Sequence, residues 1–134
     1  MTPATLLDSD VLSALMKRDV AVVQRARTYL TEHAQLSFSS ITRYEVLRGL
    51  KAKQAVAQLR RFDAFCDTCQ ILPTSGVVDR AAEIYADLYR SGRLIGDADI
   101  LIAATALDVG MELASNNAAH FGRVAGLSVV SWSS

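Results

Sequence analysis

The sequence predicts an α/β fold in which a parallel sheet is covered by helices on both faces. Short apolar runs of strand length recur along the chain, and stretches with helical spacing of apolar residues stand between them. That alternation is the pattern of a parallel sheet with helical crossovers. No internal repeat, low-complexity tract or linker interrupts it, so residues 1–134 are expected to form one domain.

The elements follow in order. Residues 4–8 read as a buried strand, followed at once by the helical spacing of Val11, Leu12 and Leu15. Residues 20–33 read as a helix, 36–38 as a second strand, and 41–50 as a helix carrying Tyr44, Val46 and Leu47. A helix over 55–65 precedes a strand at 70–72, which Pro73 ends because proline cannot donate to a ladder. Residues 77–89 are amphipathic, with Val78, Ala81, Ala82, Tyr85, Leu88 and Tyr89 at helical spacing. An apolar helix over 99–109 is stopped by Gly110. Strands at 112–115 and 127–130 complete the chain. In such sheets, sites form outside the carboxyl ends of the strands, so the residues just after each strand are the ones to examine.

Composition narrows the function classes. With 51% hydrophobic and 21% charged residues, the chain can bury a substantial core and is not of the disordered kind. The longest apolar runs, such as 100–104, are far too short to span a membrane, and the N-terminus lacks the pattern of a signal peptide. A cytoplasmic protein is expected. Cys66 and Cys69 form a C-x-x-C, but a zinc ribbon needs a second ligand pair, and neither His33 nor His120 stands at such spacing. The pair leaves a helix and enters a strand, the reverse of a thioredoxin-like site, and two inert, half-buried thiols are expected.

The formal net charge is zero, so no global field draws the protein to nucleic acid. The distribution is more telling. Arg43, Arg48, Lys51, Lys53, Arg60 and Arg61 fall in one stretch whose only acid is Glu45.

Most of the 14 acids lie in polar stretches, but three places differ. Asp8 ends an apolar strand, Glu45 sits within Ile41-Thr42-Arg43-Tyr44-Glu45-Val46-Leu47, and Asp97 and Asp99 open the apolar run 100–104. Each carboxylate stands beside core-forming residues, where an unpaired charge is costly. Brought to one sheet edge, such groups repel unless a cation joins them, and hard oxygen ligands suit Mg²⁺ or Mn²⁺. Capping is the competing account. Ser9, Asp10 and Asp97 can be caps or first-turn acids, and Thr42-x-x-Glu45 fits a capping box. Asp8 is hard to explain as a cap, because it still belongs to the strand. Asp97 and Asp99 are two apart, so a helix cannot aim both at one point, and Asp99 is the better ligand candidate.

At these residues the sequence resembles the PIN-domain family, and within it the VapC-type toxins of bacterial and archaeal toxin–antitoxin pairs. The matching pieces are residues 6–13 (LLDSDVLS), 39–50 (SSITRYEVLRGL), 95–107 (IGDADILIAATAL) and 113–121 (LASNNAAHF). They stand in the family's order and at its spacing. The resemblance implies a three-layer α/β/α sandwich around a five-stranded parallel sheet. It assigns the family's three acids to Asp8, Glu45 and Asp99, and its fourth acidic position to Asn117, which can orient water or a metal but adds no charge. Asp10 could supply the missing negative charge, and Ser115 stands where the family usually has Thr. The resemblance further implies cleavage of structured RNA, commonly tRNA or ribosomal RNA, and silencing by a cognate antitoxin.

The chemistry fits these residue types. Phosphodiester hydrolysis needs an activated water and neutralised phosphate charge, and a carboxylate-held Mg²⁺ supplies both. Asp8 and Asp99 are the expected direct metal ligands, with Glu45 acting through water or positioning the attacking water. Ser9, Asp10, Asp97 and Asn117 are candidates to orient them, and Arg43, Arg48 and Lys51 to hold flanking phosphates. The helix bearing Tyr85 and Tyr89 offers a homodimer interface.

Two rivals compete. Asp8-Ser9-Asp10 also resembles the first motif of haloacid-dehalogenase-like phosphotransferases, but those enzymes need a late lysine, and none follows Lys53. A catalytically idle binding module is the other, and the intact acids argue against it.

Overall fold

Five strands of two or three residues build the sheet: β1 Thr5–Leu7, β2 Ser37–Ser39, β3 Gln70–Leu72, β4 Glu112–Ala114 and β5 Val129–Val130. They pair in parallel throughout, in the order β3-β2-β1-β4-β5. The chain winds outward from β1 through β2 to β3, then crosses back to lay β4 and β5 on the other side. The switch point of the topology is therefore the crevice between β1 and β4. The computed structural model describes residues 1–133; Ser134, the last residue of the expected domain, lies outside them.

Seven helices are described: α1 Ser9–Met16, α2 Val20–Leu30, α3 Ser40–Ala52, α4 Val56–Cys66, α5 Val78–Arg90, α6 Asp97–Val109 and α7 Ala118–Phe121. Side chains alternate across the strands and divide the core in two. Leu6 and Leu113 face a layer of α5 and α6 residues that includes Ile84, Leu88, Ile102 and Ala103. Leu7, Phe38 and Ala114 face the opposite layer, with Val11, Leu12, Val22, Tyr29 and Phe62 from α1, α2 and α4. This is the expected three-layer α/β/α sandwich.

Local chemistry sets the helix starts at the site. Asp8 is extended at the end of β1, and its carboxylate accepts the Ser9 N–H, so it caps α1 instead of extending the strand. Ser39 caps α3 through the Thr42 N–H, which places Glu45 in the second turn and removes the competing account of a Thr42–Glu45 capping box. Gly96, extended, starts α6 at Asp97, two residues before the expected start. Gly110 adopts the left-handed conformation (φ 68°) and ends that helix as expected. The four-residue α7 has no apolar period and was not foreseen.

Cys66 ends α4 and Cys69 stands just before β3; both are free, and burial pushes both thiols up, away from the reactive thiolate.

Candidate active site

Three segments meet at the carboxyl ends of β1 and β4. Asp8 is only 5% exposed, and its two oxygens accept from the Ser9 N–H (2.8 Å) and the Ser115 hydroxyl (2.8 Å). Its pKa is pushed up to about 7, first by burial, then by the charge of Asp10, with a smaller push from Asp99; the Ser115 and Ser9 hydrogen bonds act in the opposite direction. Ser115 is fully engaged, because its Oγ also accepts the Asn117 N–H at 2.9 Å.

Glu45 enters from α3. Burial pushes its pKa up; the Ser9 hydroxyl and Arg48 lower it, while Asp99 and Asp10 raise it further. Its Oε1 is buried and has no partner among the described residues, while Oε2 stands 3.6 Å from Arg48 Nη2. An unpaired buried carboxylate oxygen is costly enough to call for a ligand. Asp99, in the first turn of α6, places Oδ2 3.3 Å from His120 Nδ1. Asp10 bonds across to the N–H of Asn116 at 2.9 Å, tying α1 to the segment after β4.

Asp8, Asp10, Glu45 and Asp99 thus share one electrostatic neighbourhood, with Ser9 between Asp8 and Glu45. Among the described residues, no three acid, histidine or cysteine side chains stand close enough together, as they are arranged, to hold a metal ion. Asp8 is turned to Ser9 and Ser115, and Asp99 to His120. The donors nonetheless suit a hard divalent cation: carboxylate oxygens only, one of them buried and unpaired, in a site whose acids repel one another.

Other candidates fall elsewhere. Asp97 is exposed and lines a groove with Val78, Tyr85 and Leu101 between α5 and α6. Arg43 turns to α4, where it pairs with Asp63 at 3.5 Å. Arg48 packs over the Tyr44 ring, 5.3 Å from its centroid, beside Glu45, and Lys51 is exposed on the last turn of α3. Asn117 caps α7 by position, and its amide nitrogen lies 2.9 Å from His120 Nδ1. His120 itself was missed: a lone histidine in a polar stretch gives little signal beyond its i, i+3 spacing from Asn117.

Comparison with known proteins gives a consistent picture. The family model described as PIN domain matches residues 5–127. The tRNA(fMet)-specific endonuclease VapC of Shigella flexneri is 29% identical over 130 residues, covering 96% of this chain and 97% of that protein. The crystal structure of VapBC2 from Rickettsia felis, bound to a promoter DNA fragment, superposes with a TM-score of 0.87 at 22% identity, over 96% of this chain and 98% of that one. A toxin–antitoxin complex from Klebsiella pneumoniae gives a TM-score of 0.70 at 27% identity, over 96% and 98% of the two chains.

Proposed function

The chain belongs to the PIN-domain family, and from that premise we propose that it is the VapC-type toxin of a toxin–antitoxin pair, a Mg²⁺- or Mn²⁺-dependent endoribonuclease acting on structured RNA. What supports this reading is that Asp99 acts electrostatically on both Asp8 and Glu45, the three coming from separate elements, and that Glu45 carries a buried carboxylate oxygen without a partner among the described residues. The Shigella flexneri relative acts on tRNA(fMet), which makes tRNA the first substrate to test, with ribosomal RNA second.

Asp8 and Asp99 would hold the cation directly, and Glu45 would offer Oε1 to it or to a water beside it. When bound, the metal supplies a water of lowered pKa and neutralises charge on the scissile phosphate. Ser9 and Ser115 fix the Asp8 carboxylate through its two oxygens. Asp10 holds the Asn116 backbone and so fixes the approach of α1 to the segment after β4. Arg48 and Lys51, on the exposed side of α3, would meet flanking phosphates, and Arg43 would do so if it left its exposed pair with Asp63.

The Klebsiella pneumoniae complex supports a protein antitoxin as the silencing partner. Val78, Tyr85 and Tyr89 leave an apolar face of α5 exposed, and we assign the homodimer contact there.

The test is cleavage of purified tRNA and ribosomal RNA with Mg²⁺, with Mn²⁺ and in EDTA, with new 5′ ends mapped. Asp99→Asn should slow cleavage at least about a hundredfold, roughly 3 kcal/mol of transition-state stabilisation. Full activity in EDTA, or near-normal activity of the purified variant, would sink the metal-nuclease reading.

A further inference from the structure

The contact that the three-acid scheme does not use is the one between Asp99 and His120. His120 sits in α7, between the end of β4 and the fully buried Phe121, which anchors that turn in the core. Its Nδ1 stands 3.3 Å from Asp99 Oδ2 and 2.9 Å from the terminal amide of Asn117. An imidazole nitrogen carries either a hydrogen or a lone pair. A lone pair at Nδ1 would face the lone pairs of the carboxylate oxygen with no hydrogen between them. A hydrogen at Nδ1 serves both neighbours once the Asn117 amide is turned end for end, so that its carbonyl oxygen faces the ring, a change that moves no heavy atom appreciably. The tautomer with Nδ1–H is therefore the one this environment selects, and Asp99 Oδ1 is left without a partner among the described residues.

We propose that His120 is a positioning residue for Asp99. Its Nδ1–H, braced by Asn117, holds Oδ2 and so presents Oδ1 toward the space shared with Asp8 and Glu45. A carboxylate in the first turn of a helix can change rotamer and swing its terminal torsion, and a bond to one oxygen restricts both. Hydrogen bonds of this kind to metal ligands commonly change metal affinity 10- to 100-fold. The inference rests on the reading of Asp99 as a ligand, and the experiment separates the two.

The test measures binding of Mn²⁺ alone, without RNA, by isothermal titration calorimetry on the wild-type chain and four variants, each first shown by circular dichroism to melt cooperatively. His120→Ala should weaken Mn²⁺ binding about 10- to 100-fold. His120→Asn places an amide N–H where Nδ1 stands and should recover most of the loss, whereas His120→Gln places it where Nε2 stands and should not. Nitrogen-15 shifts of the wild-type ring should report Nδ1–H as the protonated nitrogen. Asp99→Asn is the control. If it abolishes binding while His120→Ala binds normally, the positioning role fails and the ligand assignment stands. If Asp99→Asn also binds normally, both fail. Rescue by Gln in place of Asn would make Nε2 the working atom and overturn the proposal.

Discussion

At Asp8 a carboxylate is held out of water beside two other acids, and the consequence is a stability that depends on pH. An exposed aspartate ionises near 3.8, whereas Asp8 in the fold ionises at about 7. Between those values the folded state holds the extra proton, so its contribution to stability falls as pH rises from about 4 to about 7 and is level above that. A shift of about three units corresponds to roughly 4 kcal/mol at neutral pH. Asp8→Asn keeps the acceptor for the Ser9 N–H and removes the charge. In EDTA it should melt higher than wild type at pH 8, with the difference closing toward pH 4. A difference that does not change with pH would mean that the Asp8 carboxylate is not strained. The three acids were legible in the sequence because each interrupts an apolar run, and charge among core residues is conspicuous on a page. The partners that orient them were not. Asp8 meets Ser115 across 107 residues and Asp10 meets Asn116 across 106, distances at which no periodicity operates. The partner of Arg43 was hidden for the same reason: a cation near Glu45 in the chain is turned by helix geometry toward Asp63 on α4.

Element boundaries show the same division between local and distant causes. Gly110 ends α6 in the left-handed region, as a glycine following an apolar helical run announces. Two other helices end in that region without glycine: α1 is followed by Arg18 (φ 60°) and α3 by Gln54 (φ 53°). The N–H groups of Asp19 and Ala55 reach back to Ala14 and Leu50, which closes the same terminal motif on a side chain that strains it. Gln54→Gly should therefore stabilise the protein by about 1 kcal/mol, and Gly110→Ala should destabilise it by about as much. A Cβ at Gly110 meets nothing within 4 Å, so that loss would come from backbone conformation alone. Opposite shifts of a few degrees in melting temperature are the expected result, and a Gln54→Gly variant that melts lower would contradict it. Gln54 and Arg18 gave no warning in the sequence, since no local pattern marks a non-glycine residue for positive φ. The strands were legible as apolar runs, but each sheet pairing is so short that the first, second, fourth and fifth strands came out shifted or longer than the ladders that form. The order β3-β2-β1-β4-β5 lay beyond periodicity, although the apolar runs already numbered five.

For the whole molecule, the site and the fold are one equilibrium. Asp8 follows β1, Glu45 sits in α3 and Asp99 opens α6, so the carboxylates share a site only when the sheet and both helical layers have formed. A divalent cation that binds this site and not the unfolded chain must stabilise the fold, by about 2.7 kcal/mol at a hundred times its Kd, and so raise the melting temperature with concentration. The cation must also displace the proton that Asp8 holds below about pH 7. The gain from a fixed concentration of Mn²⁺ should consequently be small at pH 5.5, grow through neutrality, and level off by pH 8. This runs opposite to the cation-free protein, whose stability falls over the same interval for the same reason. Asp99→Asn should lose most of the gain at every pH, because on the proposed reading it removes a ligand, while burial and Asp10 still hold the Asp8 pKa above its ordinary value. A structural ion pair in place of a metal site would give a different pattern: Mn²⁺ would have little effect at any pH, and neutralising one acid would strand its partner and lower the melting temperature. Thermal melts of the two proteins at pH 5.5, 7 and 8, with and without Mn²⁺, distinguish these cases, and an equal gain at pH 5.5 and 8 would refute the coupling.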